Sequence, residues 1–302
     1  MWFLFALLTT LSWGVADLFY KKGADSKDRY SAIKIGIMVG LVMGIHAILY
    51  MLVKGIHFDP FDIVIYLPVS FFYILSMLIG YWGLRYIELS ISSPVQNSSG
   101  AITAILLIIL FPQKLDIVSI AGIILITAGV IGLAILEKKL QATAQKAENI
   151  QVNPKYQIGV LAIIFPILYA IIDAIGTTAD GIYLDELQLI GEDAALLAYE
   201  FTWFIYAIIA LFYLLVIKKQ KYNPLKQPVR ISAAVFETAG QFFYVYAMSN
   251  NAVIAAPMIA SYSIVSVILS RIFLKEKLSR LHYTLIIMVM IGIAVLGVAE
   301  EL

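Results

Sequence analysis

Four acidic residues lie within long apolar runs of the sequence: Asp17, Asp173, Glu200 and Glu237. An ionised side chain at the centre of a lipid bilayer costs about 2.5–3.5 kcal/mol on insertion scales, so acids in such runs are candidates for function. A carboxylate enclosed by protein can attract a cation, and it can also exchange a proton with its surroundings. Cation binding and proton exchange are therefore the chemistry that these residue types suggest.

Glu237 is the strongest single candidate among these acids. Gln241 and Tyr244 follow it at i+4 and i+7, so the three side chains share one face of a helix. Lipid would tolerate such a face poorly, and we expect it to point into the protein. The alternative is a network of interhelical hydrogen bonds, each worth about 0.6 kcal/mol on average. We predict a binding or coupling role for Glu237.

Asp17 and Asp173 differ in what their neighbours in the sequence offer. Lys21 lies four residues after Asp17, and an ion pair between the two is the alternative to a binding role. Asp173 has no basic residue within one turn on either side, so a local ion pair is not available to it. We therefore predict that Asp173 belongs to a binding site or a gate.

A polar segment spans residues 92–100, where Gln96 and Asn97 follow Pro94. Pro94 removes a backbone donor and can leave a carbonyl open to a cavity. The two amide side chains can offer both donors and acceptors to a ligand. Tyr262 and several serines form a similar, less polar segment near the end of the chain. Close helix packing through small residues is the alternative for the serines.

Aromatic side chains accompany these polar groups and favour an organic cation. Attraction between a desolvated cation and an aromatic ring is worth about 2 kcal/mol or more. Each ring taken alone also fits packing or anchoring at the membrane interface. The residues predicted to bind substrate are Trp13, Asp17, Tyr81, Gln96, Asn97, Tyr169, Asp173, Trp203, Glu237, Gln241, Tyr244 and Tyr262.

The composition indicates that these residues are positioned by a membrane protein. The chain has 302 residues, of which 62% are hydrophobic and 14% charged, and its formal net charge is +1. A soluble domain is typically about 25% charged, so a soluble enzyme, a disordered chain and a nucleic-acid-binding protein are excluded. The sequence has no cysteine, which excludes disulfides, thiol catalysis and cysteine metal sites.

Apolar runs of about 20 residues predict an all-α integral membrane fold, because a helix of that length crosses the hydrocarbon core. The runs lack the alternation that β-barrel strands require. The first run carries Trp13 and Asp17 where a signal peptide would have its cleavage site, so we expect it to remain as a helix. The ten predicted transmembrane helices are 2–20, 31–53, 63–86, 90–111, 115–136, 156–178, 192–217, 229–248, 252–274 and 281–298.

The basic residues predict which ends of these helices face the cytoplasm. Nineteen of the 21 lysines and arginines lie in or beside the connections that follow the odd-numbered helices. Positive charge is retained on the cytoplasmic side, so we expect a multi-pass protein of the cytoplasmic membrane with both termini outside.

A weak internal repeat divides the chain into residues 1–136 and 156–302, joined by a polar cytoplasmic linker at 137–155. A shift of 163 residues aligns Tyr81 with Tyr244, Pro94 with Pro257 and Gly129 with Gly292, and a shift of 156 aligns Trp13 with Tyr169 and Asp17 with Asp173. Five helices per half is an odd number, so the two halves would be inverted in the membrane. Chance matching between apolar segments is the alternative.

Two short motifs accompany this organisation. Residues 11–14 are Leu-Ser-Trp-Gly, and residues 273–279 are Phe-Leu-Lys-Glu-Lys-Leu-Ser. Together with the ten helices and the repeat, they make the whole chain resemble the EamA-type ten-helix members of the drug/metabolite transporter superfamily. Two positions depart from that pattern: Gln113 stands where the matching turn would carry a glutamate, and Tyr169-Ala170 replaces Trp-Gly.

The resemblance implies a secondary transporter, because the superfamily moves sugars, amino acids, nucleotide precursors, quaternary amines and drugs. Together with the buried acids, it predicts alternating-access transport of an organic cation, amine or amino acid, with the proton as a candidate coupling ion. The expected partners are this small molecule and the lipid bilayer, with no cofactor, metal or nucleic acid. The alternatives are a uniporter or exporter of a neutral metabolite such as a sugar, a channel or structural membrane protein, and a membrane enzyme. The enzyme is disfavoured because the three histidines are scattered.

Overall fold

The computed structural model describes residues 1–112, 115–147, 164–276 and 278–301, and all regular structure in these ranges is helical. The helices are α1 (Trp2–Gly23), α2 (Ser31–Lys54), α3 (Phe61–Gly83), α4 (Leu89–Gln96), α5 (Ser99–Leu110), α6 (Ile117–Ala147), α7 (Ile164–Gly181), α8 (Glu192–Phe212), α9 (Pro228–Ala260), α10 (Tyr262–Leu269) and α11 (Arg280–Glu301). Single π-helical turns continue α7 over Ile182–Glu186, α8 over Tyr213–Ile217 and α10 over Ser270–Leu274, and a short 3₁₀ turn covers Pro224–Lys226. The predicted all-α class is confirmed.

Nine stretches of the described chain are long and apolar enough to cross a membrane. Eight of them each overlap one predicted helix, although the predicted run 156–178 begins in residues outside the described ranges. The ninth, Pro228–Leu274, covers both predicted runs 229–248 and 252–274. The protein is therefore a multi-pass membrane protein.

The Pro228–Leu274 stretch is interrupted at Asn251, where the backbone leaves helical geometry (φ −169°, ψ 75°). The next backbone N–H, that of Ala252, donates to the Asp185 carboxylate at 2.7 Å. The N–H of Ile254 donates to the Asn251 side chain at 3.4 Å, which caps the helical turn that follows. A straight helix of 47 residues would be about 70 Å long, more than twice the hydrocarbon thickness of a bilayer. The kink therefore changes the course of a segment too long to continue straight.

The predicted run 90–111 is one stretch containing two helices, α4 and α5, which are separated at Asn97 and Ser98. The Asn97 side chain donates to the carbonyl oxygen of Ser93 at 2.9 Å, and the Ser98 hydroxyl donates to the carbonyl oxygen of Val95 at 2.7 Å. Such side-chain bonds compete with the helical hydrogen-bond pattern. The polar segment seen in the sequence is thus the place where this helix breaks.

Helix α6 continues through Ala147, eleven residues into the segment predicted as a linker at 137–155. Residues 148–155 lie outside the described ranges, and so do Gln113 and Lys277 of the two turns compared in the sequence. The division of the chain at this segment remains a prediction.

The helices up to Ala147 pack against the helices from Ile164 onward. Helix α1 packs mainly against α9 and α10, whereas α7 packs mainly against α3 and α5. Helix α2 packs against α8, and α6 against α11. Glycines permit the closest approaches: a Cβ on Gly40 would lie 2.1 Å from the carbonyl oxygen of Trp203, and one on Gly100 would lie 2.4 Å from the Cβ of Ala260. Small residues commonly allow this contact between membrane helices.

Candidate functional site

A cavity lies among α1, α3, α4, α5, α7, α8 and α9, with Tyr262 of α10 also in its wall. Eleven of the twelve side chains predicted to bind substrate line it: Trp13, Asp17, Tyr81, Gln96, Asn97, Tyr169, Asp173, Glu237, Gln241, Tyr244 and Tyr262. The structure therefore brings residues from distant parts of the sequence into one space.

Asp17 reaches the cavity from α1 and receives hydrogen bonds from two serine hydroxyls. Ser93 of α4 donates to its Oδ2 at 2.6 Å, and Ser266 of α10 donates to the same oxygen at 2.7 Å. Helix α1 extends to Gly23, so Asp17 lies farther from the helix end than the predicted run implied. The ammonium of Lys21 donates to the carbonyl oxygen of Leu84 at 2.8 Å and to that of Ile87.

Asp173 reaches the same cavity from α7, and serine hydroxyls again surround its carboxylate. Ser99 of α5 donates to Oδ2 at 2.7 Å, and Ser76 of α3 donates to Oδ1 at 3.4 Å. Tyr169 lies one helical turn before it and also lines the cavity. Gly80 leaves room for this ring, because a Cβ there would lie 2.8 Å from Cδ2 of Tyr169.

Glu237 comes from α9 and is 5% exposed. The hydroxyl of Tyr20 donates to its Oε2 at 3.1 Å, and the ring of Tyr20 lies 4.6 Å from that of Tyr81. The indole N–H of Trp13 donates to the backbone carbonyl of Glu237 at 3.2 Å. The third acid of the cavity is thus held by aromatic side chains, whereas the two aspartates are held by serines.

Aromatic rings form much of the remaining wall. The ring centroid of Trp13 lies 5.1 Å from that of Tyr244 and 5.8 Å from that of Tyr262. Gly240 makes this position of Trp13 possible, because a Cβ there would lie 2.3 Å from Cδ1 of the indole. These rings present π-faces and edges close to the three carboxylates.

Two amide groups in the wall have unused hydrogen-bonding capacity. The side-chain nitrogens of Gln96 and Gln241 are buried and have no hydrogen-bond partner within the described part of the chain, and the same is true of the Tyr81 hydroxyl. Buried polar groups normally have partners, so such groups in a cavity wall are available to a ligand.

Trp203 is the one predicted site residue that does not line the cavity. It is fully buried, its ring packs edge-on against Tyr206 at 5.5 Å, and its backbone lies against Gly40 of α2. Trp203 lies four residues after Tyr199, so helical spacing places the two on one face of α8. That face is divided: Tyr199 lines the cavity, while Trp203 belongs to the contact between α8 and α2.

Several lining residues were not predicted from the sequence, notably Tyr20 and Tyr73. A further acid, Asp180, lies behind the wall and is completely buried. It accepts a hydrogen bond from Tyr66, and Tyr73 is hydrogen-bonded to Tyr244 of the cavity. Asp180 escaped notice because the predicted helix ended at residue 178, although its position seven residues after Asp173 places it on the same helical face.

Two carboxylates accept hydrogen bonds from backbone N–H groups at the start of a helical segment. At the first, which we call the Glu276 end, Glu276 accepts from the backbone N–H groups of Leu89 and Ser90 at 3.2 and 3.0 Å. Burial raises the pKa of Glu88 at this end, the nearby Glu276 raises it further, and Lys21 opposes the rise. At the second, the Asp185 end, Asp185 accepts from Ala252 at 2.7 Å.

The two ends lie about six turns apart along α9. The Arg85 side chain, beside the start of α4, donates to the carbonyl oxygen of Asp25 at 3.1 Å. Arg230, in the first turn of α9, donates to the carbonyl oxygen of Gly23 at 2.9 Å. The start of α4 and the start of α9 are therefore at the same end of the bundle, and Ala252 lies about six turns farther along α9.

Glu200, the remaining acid noted in the apolar runs, lies outside the cavity lining. Nδ1 of His46 lies 2.8 Å from Oε1 of Glu200 and 2.9 Å from Oε2. Nearby, the hydroxyls of Tyr50 and Tyr246 both donate to Asp193 at 2.7 Å. These contacts join α2, α8 and α9 beside the cavity. No group of three or more metal-binding side chains occurs among the residues described.

Comparisons with known proteins identify the family to which the chain belongs. A solved crystal structure of another protein resembles the chain with a TM-score of 0.63 at 13% identity, over 95% of this chain and 97% of that one. A likeness at that identity concerns the fold alone. Comparison with curated proteins gives no match. The model of the EamA-like transporter family matches residues 1–135 and again residues 160–298. This confirms the resemblance seen in the sequence: the chain belongs to the EamA-like transporter family.

Proposed function

We propose that the protein is a secondary active transporter that moves a small organic cation, an amine or an amino acid across the cytoplasmic membrane by alternating access. The observation that carries this proposal is the charge of the cavity. Its described lining contains three carboxylates, Asp17, Asp173 and Glu237, and no lysine, arginine or histidine. A cavity with this lining attracts cations and repels anions, because charges interact strongly where water is scarce.

The aromatic wall adds selectivity for an organic cation over a hydrated metal ion. Trp13, Tyr169, Tyr244 and Tyr262 line the same space as the carboxylates. An alkylammonium group gains attraction from ring faces when it is desolvated, about 2 kcal/mol or more for a favourable contact. Its alkyl part also gains from leaving water, at about 0.8 kcal/mol for each buried CH₂.

Two inverted halves of five helices each are part of the proposal, with Pro228–Leu274 counted as two spans that meet at Asn251. The packing of α1 on α9 and α10, and of α7 on α3 and α5, is what a twofold axis in the membrane plane would produce. The 163-residue shift that aligns Pro94 with Pro257 also aligns Leu89 with Ala252. Both of these residues begin a helix and donate a backbone N–H to a carboxylate.

Alternating access follows from a cavity built between such halves, because rocking one half against the other exposes the same site to each side in turn. The distribution of basic residues supports placing the Glu276 end in the cytoplasm and both termini outside. The proton is the proposed coupling ion, with Glu237 as its carrier. One buried acid can then bind either the cation or a proton, which gives exchange of one for the other.

Counterflow in proteoliposomes tests the transport function. Vesicles that contain the purified protein and a high concentration of an unlabelled alkylamine should transiently accumulate the labelled amine against its gradient. A channel would only dissipate the gradient. Absence of counterflow for every amine and amino acid tried, in vesicles whose protein is shown to be folded, would refute the proposal.

A neutral polar metabolite such as a sugar is the second candidate, and one observation favours it. The unpartnered amide nitrogens of Gln96 and Gln241 suit hydroxyl groups as well as they suit the carboxylate of an amino acid. The same vesicles loaded with sugars decide between the two. Sugar counterflow that amines do not inhibit would favour the neutral substrate.

A further inference from the structure

The cavity contains the same local arrangement twice. On α1, Trp13 lies four residues before Asp17, and on α7, Tyr169 lies four residues before Asp173. All four side chains line the cavity. Residues four apart on a helix are neighbours on one face, so each helix presents a ring and a carboxylate side by side. A ring beside a carboxylate is a pair suited to one ammonium group.

The carboxylates of the two pairs are also held in the same way. Each one receives two hydroxyl hydrogen bonds, Asp17 from Ser93 and Ser266, and Asp173 from Ser99 and Ser76. Hydroxyl donors fix the orientation of a carboxylate without adding a positive charge to it. Each pair therefore offers an oriented negative group to the cavity.

The serine partners place the two carboxylates at different points along the α4–α5 segment. Ser93 and Ser99 lie on either side of the break between α4 and α5, six residues from each other. The serine that holds Asp17 is at 2.6 Å from it, and the serine that holds Asp173 is at 2.7 Å. Each carboxylate therefore has its own ring and its own serine donor, so each pair can hold one ammonium group.

We infer that the substrate carries two separated cationic centres, one for the Trp13–Asp17 pair and one for the Tyr169–Asp173 pair. This inference rests on the proposed cation transport and narrows the substrate to linear diamines and oligoamines. The apolar chain between the two ammonium groups then lies along the aromatic wall. A monoamine of the same length fills one pair and leaves the other carboxylate without a cation.

Glu237 is left for a separate task in this arrangement. Its donor is the Tyr20 hydroxyl, and its position on α9 belongs to neither duplicated pair. Two carboxylates match the two charges of a diamine, and the third remains available to exchange a proton.

Competition between matched amines tests the inference without any substitution. Butanediamine, pentanediamine and hexanediamine, each with two terminal amino groups, are compared with butylamine, pentylamine and hexylamine as inhibitors of counterflow and as stabilisers of the purified protein against heat. We expect at least one diamine to act at a concentration about tenfold or more below that of its matched monoamine, because it gains a second desolvated contact.

Two isosteric variants then locate the two contacts. Asp17→Asn and Asp173→Asn should each reduce the preference for the diamine to near unity, since either change leaves only one pair of a ring and a carboxylate. Asp180→Asn is the matched control: it removes a buried carboxyl group from the same helix as Asp173, at a position outside the cavity lining. It should retain the preference.

The possible results separate this inference from the function on which it rests. Monoamines as effective as diamines would overturn the two-centre substrate and leave organic-cation transport standing. Counterflow of sugars with no effect of any amine would overturn both. If the aspartate variants do not fold, the comparison of amines on the unaltered protein still decides, because its outcome does not depend on them.

Discussion

Glu237 is the cavity acid whose neighbours differ from those of the other two. A tyrosine hydroxyl donates to it, its backbone carbonyl is bound by Trp13, and its side chain is almost completely buried. A carboxylate in such surroundings gains much by binding a cation or a proton, because an uncompensated charge is costly there. Competition between the two for one acid would produce exchange.

Replacing Glu237 with glutamine should separate transport from its coupling. Glutamine keeps the shape and can still accept from Tyr20, but it cannot take up a proton. We expect Glu237→Gln to abolish the effect of an imposed pH gradient on amine flux, while amine counterflow without a gradient persists. Uptake into vesicles with and without the gradient measures both quantities.

Glu200→Gln is the matched control, since Glu200 is a buried glutamate that pairs with His46 outside the cavity lining. Its flux should still respond to the gradient. A gradient response in Glu237→Gln equal to that of the unaltered protein would exclude Glu237 as the coupling residue.

At the level of single residues, helical spacing predicted which side chains of α9 face the cavity. It did not predict which neighbouring helix each turn of α8 contacts. The spacing of Glu237, Gln241 and Tyr244 placed them on one face, and that face does line the cavity. The same reasoning failed for Trp203, because residues one turn apart on α8 meet different neighbours. Asp180 was missed because helix ends cannot be placed to within a few residues from sequence alone.

Among the helices, α2 and α8 make the closest backbone contact described above. Three glycines four residues apart, Gly36, Gly40 and Gly44, face the aromatic side of α8. At Gly40 an added Cβ would lie 2.1 Å from the carbonyl oxygen of Trp203, which is backbone and cannot turn aside. The two helices would have to separate to admit even a methyl group.

Gly40→Ala should therefore destabilise the protein by about 1–3 kcal/mol, the usual cost of overpacking a well-packed contact. Thermal unfolding of the purified protein in detergent measures the effect. Gly191→Ala is the control, since an added Cβ there meets no atom within 4 Å. Equal midpoints for Gly40→Ala and the unaltered protein would mean that this contact is looser than described.

The sequence predicted the helices better than the break within the predicted run 90–111. Long apolar runs identify membrane spans because the bilayer imposes a minimum length on each of them. The break at Asn97 and Ser98 and the kink at Asn251 depend on local competition for backbone hydrogen bonds. The kink at Asn251 falls between the predicted runs 229–248 and 252–274, although no local pattern could have indicated that Asp185, a residue distant in the sequence, binds the N–H of Ala252.

For the molecule as a whole, the two capping carboxylates are the natural candidates for gates. Glu276 joins the turn before α11 to the start of α4, and Asp185 joins the end of α7 to the middle of α9. Each contact lies at one end of the bundle, as described above. In the proposed alternating-access cycle, we expect these contacts to break in turn, so that one end opens while the other stays closed.

Weakening one contact should therefore favour exposure of the cavity at that end. Loss of a capping carboxylate typically costs about 0.5–2 kcal/mol, and 1 kcal/mol changes a two-state ratio about fivefold. The sequence has no cysteine, so a single cysteine placed in the cavity wall by Ala256→Cys can be labelled with a thiol reagent that does not cross membranes.

We expect Glu276→Gln to increase labelling from the side of the Glu276 end, and Asp185→Asn to increase labelling from the other side. The rate of labelling in vesicles of each orientation gives the measurement, and Ala256→Cys alone is the reference. Equal labelling from both sides in all three proteins would rule out a gating role for these acids.

Both capping acids bind backbone N–H groups rather than side chains, which has a consequence for how the sequence can change. Leu89, Ser90 and Ala252 contribute to these contacts only through atoms that every residue except proline possesses. Their side chains can be replaced without loss of the contact. Selection that preserves these contacts therefore acts on Glu276 and Asp185. The side chains of Leu89, Ser90 and Ala252 can change as long as they still pack.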